Sequence, residues 1–145
     1  MPIIIGEKKE IGRFFDLPGI KDVSIQMTQI SRAEHIQATE NSAIYDYNKK
    51  THKKEKDFDS LKLLDEIRNI VINHIVGYKG FIDSKTRKEI PYLKENIGKI
   101  IDVISDINIE DKETFEEKNA LMWLFDKARD AKNFLNFDLE DELKN

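Results

Sequence analysis

The sequence predicts a mainly α (α+β) fold: a small helical domain of about four helices, a short N-terminal strand region, and a small hairpin or looped excursion at 78–92. Three observations predict it. Long charged segments carry apolar residues at helical spacing. Between Lys21 and Ile30 the spacing drops to two, with Val23, Ile25 and Met27 on one face and Ser24, Gln26 and Thr28 on the other. The stretch "YKGFIDSKTRKEIPYLKENI", Tyr78 to Ile97, follows neither period.

In chain order, residues 1–20 read as an irregular N-terminal segment punctuated by Gly6, Gly12, Pro18 and Gly19. The alternating residues after Lys21 read as a half-buried strand. Ser31 and Glu34 then match a capping box, in which each side chain satisfies an orphan backbone donor, so a helix is expected from about Arg32 to Tyr45. "NKKTHKKEKD", Asn48–Asp57, is a dense charge run without apolar period and reads as a solvated loop. Asp57 or Asp59 is placed to cap the next helix, whose Leu61, Leu64, Val71 and Ile75 form one stripe and Leu63, Ile67, Ile70 and His74 an adjoining one. So wide an apolar arc predicts a central helix contacted from more than one side, with Gly77 as its stop. "LKENIGKIIDVISDI" predicts a shorter helix burying Leu93, Ile97, Ile100, Ile101 and Ile104. A last helix is expected from about Glu110 to Leu135, and the acidic tail 136–145 is expected to fray.

A chain of 145 residues suits a single domain, 1–145, and a length that buries roughly two-thirds of its unfolded surface. The net charge of −4 disfavours nucleic acid as the default partner, although Lys49–Lys56 and the "KTRK" turn are basic enough to keep it as a minor alternative. With no cysteine, disulfides and thiolate metal sites are excluded. The N-terminus lacks the basic region of a signal peptide and no apolar run approaches the ~20 residues of a membrane span, so a cytoplasmic protein is expected.

Residue patterns for catalysis are missing. His35, His52 and His74 lie in three segments without metal-ligand spacing, and His74 reads as a satisfied core or boundary residue. The serines lack a nucleophile elbow, the glycines form no phosphate cradle, and "DFD" lacks the spacing of a calcium loop. No enzyme, metal or cofactor is expected. The last helix offers a partner-binding hint instead. Its "ALMWLF" run exceeds one stripe: Leu121, Leu124, Phe125, Ala128 and Leu135 share a face, while Trp123 and Phe134 fall nearly opposite. A helix sandwiched between two neighbours accounts for the pattern. An exposed aromatic patch is the alternative, with Trp123, Phe134, Met122 and Phe115 as candidate partner-binding residues.

The 78–97 stretch divides into two short apolar runs, "YKGFI" and "KEIPY", joined by a polar turn. Gly80 permits a close backbone approach, Pro91 ends the strand-like piece, and Tyr78, Phe81, Ile90 and Tyr92 are placed to cover the end of the helices as a structural lid. The order Tyr78, Gly80, Phe81, Asp83, Ile90, Pro91, Tyr92, Glu95, Asn96, after an apolar helix, resembles the tail assembly chaperones of tailed bacteriophages and prophages. The resemblance covers roughly residues 61–104. Tyr78 stands where tryptophan is more usual, and the turn "SKTRK" lacks the usual glycine. It implies a non-enzymatic phage morphogenesis protein that binds the tape-measure protein or tail-tube subunits in the bacterial host cytoplasm. A structural virion component, such as a connector or completion protein, is the alternative it leaves open, and a homo-oligomer is compatible with either.

Overall fold

The computed structural model describes residues 12–135 and corrects the fold class. The chain is a mixed α/β protein with strands in three small sheets, not a mainly helical domain of about four helices. In order these are β1 (Arg13–Asp16), β2 (Ser24–Met27), α1 (Arg32–Asn41), β3 (Ala43–Asn48), β4 (Lys53–Phe58), α2 (Ser60–His74), β5 (Ile75–Lys79), α3 (Lys94–Ser105), β6 (Asn108–Glu110), β7 (Glu117–Asn119), α4 (Ala120–Arg129) and the single turn α5 (Lys132–Leu135). The acidic tail 136–145 lies outside the described residues, as do residues 1–11.

The central sheet is antiparallel with the order β1-β2-β5. Its register aligns Phe15, Ile25 and Tyr78 in one row across the three strands, and all three are buried. Met27 and Ile75 form the next pair. The alternation read after Lys21 therefore puts Ile25 and Met27 in the core, both at 0% exposure. β1 falls within the segment expected to be irregular. Its four residues carry too little pattern to stand out alone, and pairing with β2 supplies their backbone partners.

α1 begins as its sequence demands. The Ser31 hydroxyl accepts from the Glu34 amide and the Glu34 carboxylate accepts from the Ser31 amide. It ends at Asn41, not near Tyr45, because Ile44, Tyr45 and Tyr47 are strand formers that pair with the following charge run. Asn48–Asp57 is thus no loop: β3 and β4 form a two-stranded ribbon, exposed at every residue of β4.

Asp59 caps α2 by accepting from the Leu61 and Lys62 amides. This helix ends at His74 rather than at Gly77 and passes directly into β5, where the Thr28 amide donates to the His74 carbonyl at 2.9 Å. Gly77 lies within that strand against the Gln26 side chain. α3 buries Ile97, Ile100, Ile101 and Ile104, as its spacing predicts, while Leu93 remains 47% exposed at the N-cap.

The helix expected over Glu110–Leu135 is instead three pieces. The Asp111 carboxylate accepts from the Glu113 amide, a local turn that competes with helix, and β6 pairs with β7 across it. Asn119 then caps α4 by accepting from the Leu121 amide, and Asp130 interrupts the chain again before α5. α4 is the hub of the core. It buries Ala120, Leu121, Trp123, Leu124, Phe125 and Ala128 against α2, α3 and the central sheet's cluster. Among the described residues, no helix is long and apolar enough to cross a membrane.

Candidate functional site

The nine residues of the 78–96 pattern are brought together as a clasp between β5 and α3. Tyr78, buried at the end of β5, meets Phe81 and Tyr92 edge to face with ring centroids 5.6 and 5.7 Å away. Its hydroxyl donates to the Pro91 carbonyl, which also accepts from the Asn96 side chain at 3.1 Å. Tyr92 donates to the Ile75 carbonyl at 3.2 Å. The hairpin closes through the Ile90 amide to the Phe81 carbonyl, an Ile82–Glu89 bridge, and the Asp83 carboxylate accepting from the Lys85 amide. Glu95 lies in the first turn of α3, where a carboxylate favours the helix dipole. The hydrogen bonds of the clasp all engage backbone groups, while its three rings pack on one another.

The four aromatic and sulfur candidates of the C-terminal third do not share one surface. Trp123 is buried beside Lys127, the position a helix packed on two sides gives it. Phe134 is half-buried against Phe15, their rings 5.9 Å apart. Phe115 is 78% exposed in the β6–β7 turn, where it borders a polar depression with Asn108, Glu110 and Glu117. Met122 alone lines an apolar groove.

That groove, of about 330 Å³, runs between α2 and the start of α4 and is lined by Leu64, Asp65, Arg68, Ser105, Asn119, Leu121 and Met122. Its walls are fixed. Arg68 pairs with Asp102 of α3 at 2.8 Å, and Asn119 donates to the Ser105 carbonyl while capping α4. Leu61, Leu64, Asp65 and Arg68 follow one another at helical spacing, so Leu61 lies on the same face of α2, one turn from the groove. The sequence puts Leu61 and Leu64 on an apolar arc expected to be contacted by neighbours; they are 76% and 46% exposed. The helical period fixes which residues share a stripe, but not how much of that stripe a neighbour covers.

A second cluster joins α1, α2 and β2. His74 lies 2.8 Å from the Thr28 hydroxyl through Nδ1 and 2.7 Å from Glu34 through Nε2, while the other Glu34 oxygen serves the cap at Ser31. His74 is thus the satisfied boundary residue that its sequence context predicts. Burial pushes the Glu34 carboxyl up, but the His74 and Ser31 hydrogen bonds outweigh it and hold the group below its ordinary 4.5. His35, one residue on, touches the Phe125 ring and the Arg129 guanidinium. Burial, aided by Arg129 and opposed by Asp126, keeps it below its ordinary 6.5.

Both groups lower stability on acidification. A depressed pKa means that the unfolded chain binds the proton first, so the contribution is present above the ordinary value and lost as the pH falls through the folded one. Melting temperatures measured from about pH 8 to pH 3 should fall first below 6.5 through His35 and again below 4.5 through Glu34. His35→Gln should erase the first decline and Glu34→Gln should flatten the second. An undiminished first decline in His35→Gln would show that burial of His35 does not govern it.

Among the described residues, no group of three or more His, Asp or Glu side chains is placed to hold a metal ion. No family model, curated protein or solved structure matches the chain.

Proposed function

We propose that this protein is a non-enzymatic polypeptide-binding protein of the phage tail assembly chaperone type, and that it covers an apolar helical segment of a tape-measure protein or tail-tube subunit. The observation that carries this reading is the groove: Leu64, Leu121 and Met122 line it between Arg68–Asp102 and Asn119–Ser105, and exposed Leu61 stands one turn away on the same face of α2. An amphipathic helix laid into such a groove binds through side chains spaced three or four apart. The polar rim, with Asp65 and Arg68, suits the edge of such a contact, where charges fix register rather than supply affinity. The 78–96 clasp contributes by holding β5 and α3 in place, the structural role its contacts describe.

The test begins with gene order, since a long tape-measure gene is expected beside the gene for this chain, and continues with co-expression of the two products. The pair should co-purify, and the tape-measure protein should stay in solution only when both are made. The double substitution Leu61→Glu and Leu64→Glu should abolish co-purification while shifting the melting temperature by only a few degrees, because both side chains are already largely exposed. Co-purification that survives the double variant refutes the groove. A fixed stoichiometric presence in purified particles would identify a virion component instead.

A further inference from the structure

The Thr28, His74 and Glu34 side chains form a row outside the polypeptide-binding groove. His74 is the last residue of α2, at the far end of that helix from Leu64. The Thr28 amide donates to the His74 carbonyl at 2.9 Å, which fixes the two backbones against each other where α2 passes into β5. Glu34 is fixed from its own side by the Ser31 capping box. Between these anchors Thr28 Oγ1 lies 2.8 Å from His74 Nδ1, and His74 Nε2 lies 2.7 Å from a Glu34 oxygen.

The carboxylate decides where the ring proton sits. Glu34, held ionised against the pull of burial by its hydrogen bonds to His74 and Ser31, can only accept, so the ring proton belongs on Nε2. Nδ1 of the neutral ring is then an acceptor. The Thr28 hydroxyl donates to it at 2.8 Å in preference to the His74 carbonyl at 3.4 Å. A hydroxyl that gives its proton to an imidazole, itself oriented by a carboxylate, is the arrangement that activates a weak nucleophile. The ring nitrogens serve in the opposite order from the serine-protease triad, a change that leaves each role intact.

A polar tie between α1, α2 and β2 needs no open space beside it. This row forms one wall of a cleft of about 540 Å³, whose lining also includes Gln29, Asn73 and Val76. That volume falls within the range of small-molecule sites, roughly 300–1,000 Å³. The His74 side chain is 16% exposed and that of Glu34 39%, and Thr28 is half-buried, so the row is reachable from the cleft. Val76 gives the cleft an apolar surface. The Gln29 and Asn73 side chains bring amide N–H donors of the kind that hold the oxygen of a tetrahedral adduct.

We propose that Thr28 is an activated nucleophile that accepts an acyl group from a small activated ester held in this cleft. Thr28 Oγ1 bonds to the ester carbonyl carbon, and its proton passes to His74 Nδ1. The Glu34 carboxylate steadies the imidazolium. The bond from that carbon to the leaving oxygen then breaks, and its electron pair departs with the alcohol, which takes the proton from Nδ1. No oxidant, reductant or further reactant enters the step. The chain is the acceptor and is consumed by the transfer, so the site adds to a protein that otherwise works by binding.

The probe is a fluorophosphonate, whose phosphorus takes the place of the acyl carbon and whose fluoride is the leaving group. After labelling of the full chain, trypsin releases Asp22–Arg32, which holds Thr28 and no lysine, and tandem mass spectrometry distinguishes Ser24, Thr28 and Ser31 within it. The adduct is expected on Thr28 of the folded chain and not of the chain unfolded in urea. Thr28→Ser should keep the label at position 28, Thr28→Val should lose it, and His74→Gln should slow it about a hundredfold or more. Glu34 acts through His74 as a positioning residue: Glu34→Gln should slow labelling, and Glu34→Asp, which restores a carboxylate, should recover part of the rate. 4-Nitrophenyl acetate should acetylate the same hydroxyl. Far-UV circular dichroism shows whether each variant keeps its fold, and Leu61→Glu with Leu64→Glu should label at the unaltered rate. No adduct on Thr28, an adduct on Ser24 or Ser31 instead, undiminished labelling of the peptide in Thr28→Val, or equal labelling of folded and unfolded chains would each overturn the proposal.

Discussion

Replacing Phe125 with alanine is expected to destabilise the protein by about 3–5 kcal/mol, the cost of deleting a fully buried phenyl ring. The ring is 1% exposed and occupies the middle of α4, so its removal leaves a cavity that a helix pinned at both ends cannot collapse into. Two further contacts raise the cost. The edge of His35 meets the ring at 5.4 Å, and the Arg129 guanidinium lies 4.6 Å above it. Arg129 is held by Asp126 at 2.6 Å and reaches the His35 ring at 3.0 Å, while its buried Nε has no hydrogen-bond partner among the described residues. At about 1.4 kcal/mol per tenfold change, a loss of 4 kcal/mol lowers the folded-to-unfolded ratio roughly a thousandfold. For a chain of this length the midpoint of thermal unfolding drops by on the order of 10 °C. Phe115→Ala is the matched control: the same side chain, 78% exposed, should change stability by less than about 0.5 kcal/mol. Urea denaturation of both variants with unchanged slopes makes the comparison. A Phe125→Ala cost below about 1.5 kcal/mol would mean that α1 and α4 do not pack as described.

What could be read from the sequence followed the range of the interaction. The Ser31–Glu34 cap, the Asp59 cap, the buried Ile25 and Met27, and the Ile97–Ile104 stripe depend on residues a few positions apart, and each emerged as its spacing predicts. Strands whose only reason to exist is a distant or reversed partner did not. β4 is a run of charges until Tyr45 pairs with Lys56 across it, and β6 and β7 are three residues each. The charge run of β4 reads as a solvated loop and the β6–β7 segment as part of one long helix, so of the three sheets only the β2 strand is legible in the sequence.

The candidate sites divide the same way. The 78–92 excursion was legible as a hairpin because its turn chemistry, Asp83 at the start and Pro91 at the end, is local. The groove was not, because a helical wheel treats Leu61 and Val71 as equals, whereas one is 76% exposed and the other 0%. Trp123 shows the converse: off the main stripe by its angle, it is covered because the core of α4 extends around most of the helix.

Gly80→Ala is the substitution expected to do the second-largest damage, and it acts through backbone rather than side chain. Gly80 has φ +90°, a conformation that costs an L-residue about 1 kcal/mol. Strain alone is a modest effect, and Gly19 supplies its measure: φ +77° with nothing within 4 Å of an added Cβ, so Gly19→Ala should cost only about 1 kcal/mol. At Gly80 the added carbon would lie 2.1 Å from the Asp22 carbonyl oxygen and 2.9 Å from the Val23 Cα, both backbone atoms that cannot rotate away. Asp22 is itself at φ +63° in the turn that leads into β2, so the turn has little freedom to yield. The chain must then separate the end of β5 from the start of β2, which breaks the Ser24–Lys79 and Ile25–Tyr78 register. It also shifts the Gly80 amide away from the Glu89 carboxylate that closes the base of the hairpin. A total cost of about 3 kcal/mol follows, from strain plus the lost register. Because Tyr78 stacks on Phe81 and Tyr92 just beyond this point, near-ultraviolet circular dichroism of the tyrosines should change in Gly80→Ala and not in Gly19→Ala. If the two alanine variants prove equally stable, the close approach of β5 to the Asp22 turn does not exist in solution, and the clasp that joins β5 to α3 is held by its side chains alone.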